Sequence, residues 1–292
     1  MDQEEVKKRA ADLKARYSNH KFIGFYPELI EPGAIFSIGD HIFIGDLATN
    51  SLRKYSFATR EIVQTLNLTQ DRIGWSCGYD KNSGKIYLVS TQKKDLLLID
   101  PNDLHILDRI PVQVENGIFF TLKGDSYFIP GLASPHSVKI IRNHVLQPSN
   151  ISIQPSSITP DFIPFPFYFE DDLIGLYYID SREVLVLKDL QFSTLHRFNH
   201  ESSGRLYRLY YLQESQVFLA LFSQPLSLRV SPKISMYDSA FNFIRSFSFP
   251  ECTQAGNFCL SQSHIFLTSQ SGKYVAQFQY DPRAFLNQII NK

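Results

Sequence analysis

Eight histidines are spread along the chain, and only His196 and His200 stand close together. A spacing of four puts two ligands on one face of a helix. Here the pair ends a strand-like run and enters a loop, with no HExxH context and no third ligand nearby, so no metal ligand is assigned. Ser51-Leu-Arg-Lys54 has the SxxK string of some serine acyl enzymes. That chemistry needs the serine at a helix start with the lysine one turn on. This segment reads as a strand, where the two side chains point to opposite faces. Asp80-Lys-Asn-Ser-Gly84 approaches a calcium loop, but its glycine comes one place early and no glutamate follows at the twelfth position. A tight hairpin turn explains it better. No GxSxG, GxGxxG or phosphate-loop string is present. Glu170, Asp171 and Asp172 are the densest carboxylate cluster, and they sit between two strand-like runs, as a solvated hairpin tip does. A carboxylate pair acting as acid and base would have to be assembled by the fold, and the sequence names no pair. Cys77, Cys252 and Cys259 form no CxxC and no even disulfide set. They read as three free thiols packed as small apolar groups. The expectation is a protein with no catalytic residue, no metal ligand and no cofactor.

The elements that would position any site are mostly strands. Residues 2–17 are the one long helical candidate, with Val6, Ala10, Leu13 and Tyr17 at helical spacing and Glu4–Lys8 and Asp12–Arg16 as favourable i,i+4 pairs. Residues 1–20 are therefore read as an N-terminal helical arm and 21–292 as one further domain. From about residue 21, runs such as His41–Gly45, Lys85–Val89, Asp95–Ile99, Glu183–Leu187, Gln216–Ala220 and His264–Thr268 alternate with turn clusters. No helix of ordinary length interrupts them, which disfavours parallel βαβ folds. The 29 basic and 29 acidic residues cancel, which argues against a protein that grips nucleic acid by its phosphates. No apolar run reaches the roughly 18 residues of a membrane span, and the charged N-terminus lacks the core of a secretion signal. The expectation is an intracellular protein, placed in the cytoplasm, in a reducing compartment.

The runs repeat. HIFIGDLATNSLRKYSFATREIVQTLNL (41–68) and KIYLVSTQKKDLLLIDPNDLHILDRIPV (85–112) share one plan: strand, short polar loop, strand ending near a turn, strand. Similar units cover 126–148, 173–198, 217–249 and 264–282, each preceded by a short apolar strand near Ala34, Trp75, Gly117, Pro166, Leu206 or Gly256. Those starts are 41, 42, 49, 40 and 50 residues apart. A period of 40–50 with four strands is the mark of propeller blades. A single such sheet cannot bury both faces, whereas a closed ring of them can. The 85–112 unit, and less strictly 41–68, resembles the β-propeller repeats called YVTN or NHL-like. The matching parts are a strand at Lys85–Val89, a second ending in an Asp turn at Leu96–Asp100, and an alternating outer strand at Ile106–Val112. The glycine doublet of kelch repeats and the Trp-Asp ending of WD40 repeats are missing, so degenerate kelch- or WD40-like repeats stay open. The resemblance implies a ring-shaped scaffold, in a class that spans binding modules and a few enzymes.

The resulting fold class is all-β: a single β-propeller of six four-stranded blades, with seven as the alternative count and a short helix at each end. Asp281-Pro282 signals a helix start, giving a helix over 283–290 with Phe285, Leu286 and Ile289 inward. The last blade then lacks one strand, and Lys21–Tyr26 supplies it. The alternative is that 284–290 is itself the outer strand. The segment 145–169 holds five prolines and a dense aromatic group, and reads as a long connection between blades three and four. It either plugs a gap with its aromatics or docks a partner. In propellers, the loops entering each innermost strand gather around the channel on one face. Those loops would carry Arg72, Trp75, Asn116, Asp161, Phe162, His200 and Arg205. Tryptophan and arginine often anchor interfaces. The functional expectation is a non-catalytic scaffold that binds a protein partner, as a subunit of a larger assembly. The alternative is a propeller enzyme or small-ligand receptor with a channel site, such as a hydrolase or lyase acting on a sugar or lactone.

Overall fold

The computed structural model describes residues 20–131, 138–148, 165–170, 173–177, 183–188, 191–197, 206–212, 216–222, 231–252, 255–261, 263–269 and 273–280. The helices expected over 2–17 and 283–290 lie outside these residues. Every regular element within them is a strand, so none is a helix able to cross a membrane.

The strands assemble in groups of four. One sheet runs in chain order through β2 (Pro32–Ile38), β3 (His41–Asp46), β4 (Ser51–Ser56) and β5 (Ile62–Asn67). The next holds β6 (Ile73–Asp80), β7 (Lys85–Ser90), β8 (Asp95–Ile99) and β9 (Ile106–Pro111). The third holds β10 (Gly117–Leu122), β11 (Asp125–Pro130), β12 (Lys139–Arg142) and the short β13 (Val145–Gln147). The fourth holds β14 (Phe165–Glu170), β15 (Leu173–Tyr177), β16 (Glu183–Lys188) and β17 (Gln191–Arg197). The fifth holds β18 (Leu206–Leu212), β19 (Val217–Phe222), β20 (Lys233–Asp238) and β21 (Phe243–Ser248). These five each use one continuous stretch of chain. The remaining sheet joins both ends, in the order β22 (Ala255–Leu260), β23 (His264–Ser269), β24 (Tyr274–Tyr280) and β1 (His20–Tyr26). Among the described residues there is no seventh sheet. The four-strand repeat read from the sequence is thus the structural unit, and 21–26 does supply the outer strand of the last sheet. Pairing of β1 with β24 runs antiparallel from His20 opposite Tyr280 to Tyr26 opposite Val275.

The first strand of each sheet is innermost. These strands neighbour one another in the order β2, β6, β10, β14, β18, β22 and back to β2. The chain is an all-β propeller whose ring is closed by its N-terminal strand. Burial follows radial position. The six residues of β10 and of β19 are all buried, and β3, β7 and β23 are buried beyond their first residue. Strands covered on both faces read as continuous apolar runs. The outer strands β5 and β9 alternate, with one face toward water.

Core clusters form between successive sheets. Phe43 and Leu52 meet Ile86 and Leu88 in one, and Leu96 and Ile110 meet Phe119 and Phe128 in another. Polar ties cross the same seams. Lys54 donates from Nζ to the Pro101 and Asn102 carbonyls at 3.1 and 2.9 Å. Fully buried Asp80 accepts from the Thr121 amide at 3.1 Å and its hydroxyl at 2.6 Å. The 80–84 segment is a hairpin turn, with Ser83 N and Gly84 N bonded to Asp80.

Candidate functional site

Four-stranded sheets arranged this way send two kinds of connection to one face, here called the upper face. These are the loops entering the innermost strands and the turns between second and third strands. Arg72 ends the loop 68–72 that enters β6, and its side chain is exposed. Its φ is +49°, in the left-handed region that L-residues seldom adopt. The chain is fixed there from both sides. Arg72 N donates to the Leu68 carbonyl at 3.0 Å, and the Arg72 carbonyl accepts from Thr91 N at 3.0 Å and Thr91 Oγ1 at 3.2 Å.

The preceding residue locks the loop. Asp71 is only 4% exposed and takes a two-pronged bond from Arg109 of β9, at 2.6 Å from Nη1 and 2.7 Å from Nη2. Lys93 Nζ stands 3.8 Å away, and Arg109 also faces Asp95 at 3.7 Å. The guanidinium bonds hold the Asp71 carboxyl below the usual carboxylate range and raise Arg109 in turn.

Trp75 lies three residues into β6 at an irregularity. Ile73 pairs with Ser90 and Cys77 with Leu88, so Gly74, Trp75 and Ser76 stand opposite Val89 alone. Such bulges re-aim side chains and cluster at functional rims. The bulge is tied to the next innermost strand, because Ser76 Oγ accepts from Gly117 N at 3.0 Å. Asn116 immediately precedes β10, is half-buried, and accepts from Gly131 N at 3.0 Å through its carbonyl. A Cβ added at Gly74 would lie 2.7 Å from Thr91 Cγ2 and 4.0 Å from the Glu115 carbonyl, so the loops around β6 and β10 approach each other. Arg72 and Asn116 stand on loops that enter neighbouring innermost strands, whereas Trp75, expected in a loop, lies within β6. Asp161, Phe162, His200 and Arg205 lie outside the described residues.

Sequence reasoning missed two companions of Arg72. Glu28 (φ +64°) and Gln113 (φ +60°) also adopt left-handed conformations in loops entering innermost strands. Both are exposed and pinned: Arg53 donates to the Glu28 carbonyl, and Gln113 N donates to the Lys94 carbonyl at 3.0 Å. No glycine marks these sites, so the sequence carries no signal for them.

The six innermost strands contain no histidine, and their charged residues are Asp80, Glu170 and Arg208. Asp80 is committed to Thr121. Arg208 donates from Nη2 to the Tyr210 hydroxyl at 3.1 Å and lies 5.0 Å from that ring. Among the described histidines, His20, His41 and His264 begin strands, and His105 and His144 precede strands, all at the opposite, lower face. His196 stacks on Phe241 at 4.1 Å. Burial lowers the pKa of His41, His196 and His264.

Asp100, Asp103 and His105 bring possible ligand atoms within 4.8 Å of one another. Turn geometry accounts for them. Asp100 Oδ1 accepts from Asn102 N at 2.7 Å, and Asp103 Oδ1 from His105 N at 3.2 Å. Asp238 does the same for Ala240 N and Asn242 N in the matching turn of the β18–β21 sheet. Burial pushes the thiols of half-buried Cys77 and of buried Cys252 up to about 12 and raises that of Cys259 as well.

No family model matches the chain, and no curated protein matches its sequence. Solved structures match its fold. Virginiamycin B lyase from Staphylococcus aureus is similar over 90% of this chain and 99% of its own, with a TM-score of 0.59 and 8% identity. The calcium-binding protein regucalcin from Agrobacterium tumefaciens covers 88% and 93%, with a TM-score of 0.60 and 10% identity. The Cps50 (Swd1) β-propeller domain from Myceliophteria thermophila covers 90% and 100%, with a TM-score of 0.61 and 9% identity. At such identities the likeness is one of fold.

Proposed function

We propose that this chain is a non-catalytic six-bladed propeller scaffold, which holds a protein partner on its upper rim as a subunit of a larger assembly. The observation that carries the reading is the rim itself. Successive loops are pinned by backbone and side-chain bonds, and Glu28, Arg72 and Gln113 stand exposed on them. Rigid loops bind with less ordering cost than mobile ones. Arg72 and Trp75 are the residue types that anchor interfaces, with Asn116 beside them. The innermost strands support the same reading, because they carry no histidine and no uncommitted pair of carboxylates among the described residues.

A photo-reactive amino acid placed at position 72, and separately at Lys123 on the lower face, tests this in the source cell. The scaffold reading expects one discrete set of proteins linked through position 72 and absent from the Lys123 control. No linked protein, or the same set from both positions, overturns it. A channel enzyme acting on a sugar or lactone would instead show turnover that survives substitution of Arg72 and Trp75.

A further inference from the structure

The upper rim has a charge pattern that specifies its partner further, if the scaffold reading holds. Loop 27–31 enters β2 and loop 68–72 enters β6, and these two strands are neighbours. One turn, 47–50, is bonded to both loops. Leu47 N donates to the Glu31 carbonyl at 2.9 Å, Leu68 N donates to the Asn50 carbonyl at 2.9 Å, and Ile73 N donates to Asn50 Oδ1. A four-residue turn keeps its ends within about 7 Å, and each hydrogen-bonded neighbour adds about 5 Å, so the two loops form one continuous edge.

Most charges on this edge are satisfied internally. Asp46 faces Arg53 at 3.7 Å, Asp71 pairs with Arg109 and Lys93, and Glu115 faces Lys94 at 3.6 Å. Three are not. Glu28 and Glu31 are exposed on one loop and Arg72 is exposed on the other, and no ion pair or side-chain hydrogen bond engages them among the described residues. They do not reach each other either, although their signs are opposite. Loop 27–31 is anchored on its own: Asp46 accepts from the Ile30 and Glu31 amides at 3.1 and 2.9 Å, and Tyr55 donates to the Pro27 carbonyl at 3.2 Å. Between the two glutamates Ile30 is 48% exposed, an apolar contact set inside the charged pair.

We infer that this edge docks an extended segment of a partner protein that carries a basic residue over Glu28 and Glu31 and an acidic residue over Arg72. An extended chain rises about 3.3 Å per residue, so the two charges fall about three to five residues apart. Opposite charges held apart on rigid loops fix both register and direction of such a segment. A partner with the two charges reversed meets like charge at both ends.

The test uses a display library of random twelve-residue peptides, selected on the immobilised full chain and on a charge-inverted variant, Glu28→Lys with Glu31→Lys and Arg72→Glu. The wild-type chain is expected to enrich peptides with a base and an acid about three to five residues apart in one fixed order, and the inverted variant the opposite order. A selected peptide should lose about tenfold or more in affinity on Arg72→Glu alone, and further affinity as salt rises. Arg72→Gly gives the fold control, because glycine relaxes the left-handed position. Its melting temperature should hold or rise while peptide binding falls. Selected pools without charge bias, identical pools from both chains, or a selected peptide indifferent to Arg72→Glu would overturn the inference. If position 72 still links to a discrete partner in the cell, such a result removes this charge pattern and leaves the scaffold reading standing.

Discussion

Replacing Asp71 by asparagine removes the charge that holds the Arg72 loop to β9. The carboxylate is 6% exposed on its side chain and makes two short bonds to Arg109, which is 36% exposed. Breaking a fully buried ion pair costs about 3–5 kcal/mol, and exposed pairs are worth about 1 kcal/mol or less. With one partner buried and the other a third in water, we expect a loss of about 2 kcal/mol. For a domain of this size that is a fall in melting temperature of about 4 °C. A cycle with Arg109→Gln and the double variant isolates the pair, with a coupling of about 1.5 kcal/mol in thermal or denaturant unfolding. The pH dependence carries a sign that can be checked. The native carboxyl is held below its ordinary value of 3.8. The native state therefore favours the ionised form, and the stabilisation is complete above that ordinary value. It is lost as pH falls through the lower native value. The deficit of Asp71→Asn should accordingly be full at pH 7 and shrink toward pH 3. Single-variant losses that simply add in the double variant, or a deficit unchanged at pH 3, would refute the clamp.

Gly117→Ala should destabilise by about 3 kcal/mol in chemical denaturation, since its Cβ would fall 2.3 Å from Phe128 Cζ and 2.8 Å from the Ile129 carbonyl. Phe128→Leu in the same chain should recover only part of that loss, because the carbonyl contact stays. Tyr26→Phe removes the hydroxyl that donates at 3.1 Å to Gln277, which is itself 1% exposed, and should cost about 1–2 kcal/mol. Hydrogen exchange should show the loss concentrated in β1 and β24, and a uniform loss would argue against a role at the ring seam. The thiols of Cys77, Cys252 and Cys259 should react with a disulfide reagent only after unfolding, given their burial-raised pKa values. Rapid modification of the native chain would contradict that burial.

The four-strand unit was legible because its causes are local. In KIYLVSTQKKDLLLID, two apolar runs flank a polar loop, and both become buried strands of one sheet. The closing strand was legible too, since KFIGFY is apolar and the last unit lacked a strand. Strand order alone sends the loops of Arg72 and Asn116 to one face, but it did not show that Trp75 would lie within β6. The finer geometry was not legible. Arg109 lies 38 positions from Asp71, and nothing near either residue announces the pair. The bulge at Trp75 depends on its register against β7, which only the partner strand sets. Glu28, Arg72 and Gln113 adopt a conformation that local preference would give to glycine. Tertiary bonds, not residue type, hold them there.

Closure of the ring and the docking edge depend on the same short segment. Loop 27–31 links β1, which closes the ring, to β2, which begins the first sheet. Its anchors all come from the sheet it enters: Asp46 takes the Ile30 and Glu31 amides, Arg53 the Glu28 carbonyl, and Tyr55 the Pro27 carbonyl. On the other side, Arg60 Nη1 donates to the Ile23 carbonyl of β1 at 3.0 Å. Loop 27–31 is thus tied to its own sheet through Asp46, Arg53 and Tyr55 and joined to the seam through β1. A partner that favours the closed ring over one with β1 detached must by linkage stabilise closure. The charge pattern of the rim and the stability of the seam are in this way two readouts of one structure, and a partner that engages Arg72 alone would leave the seam unprotected.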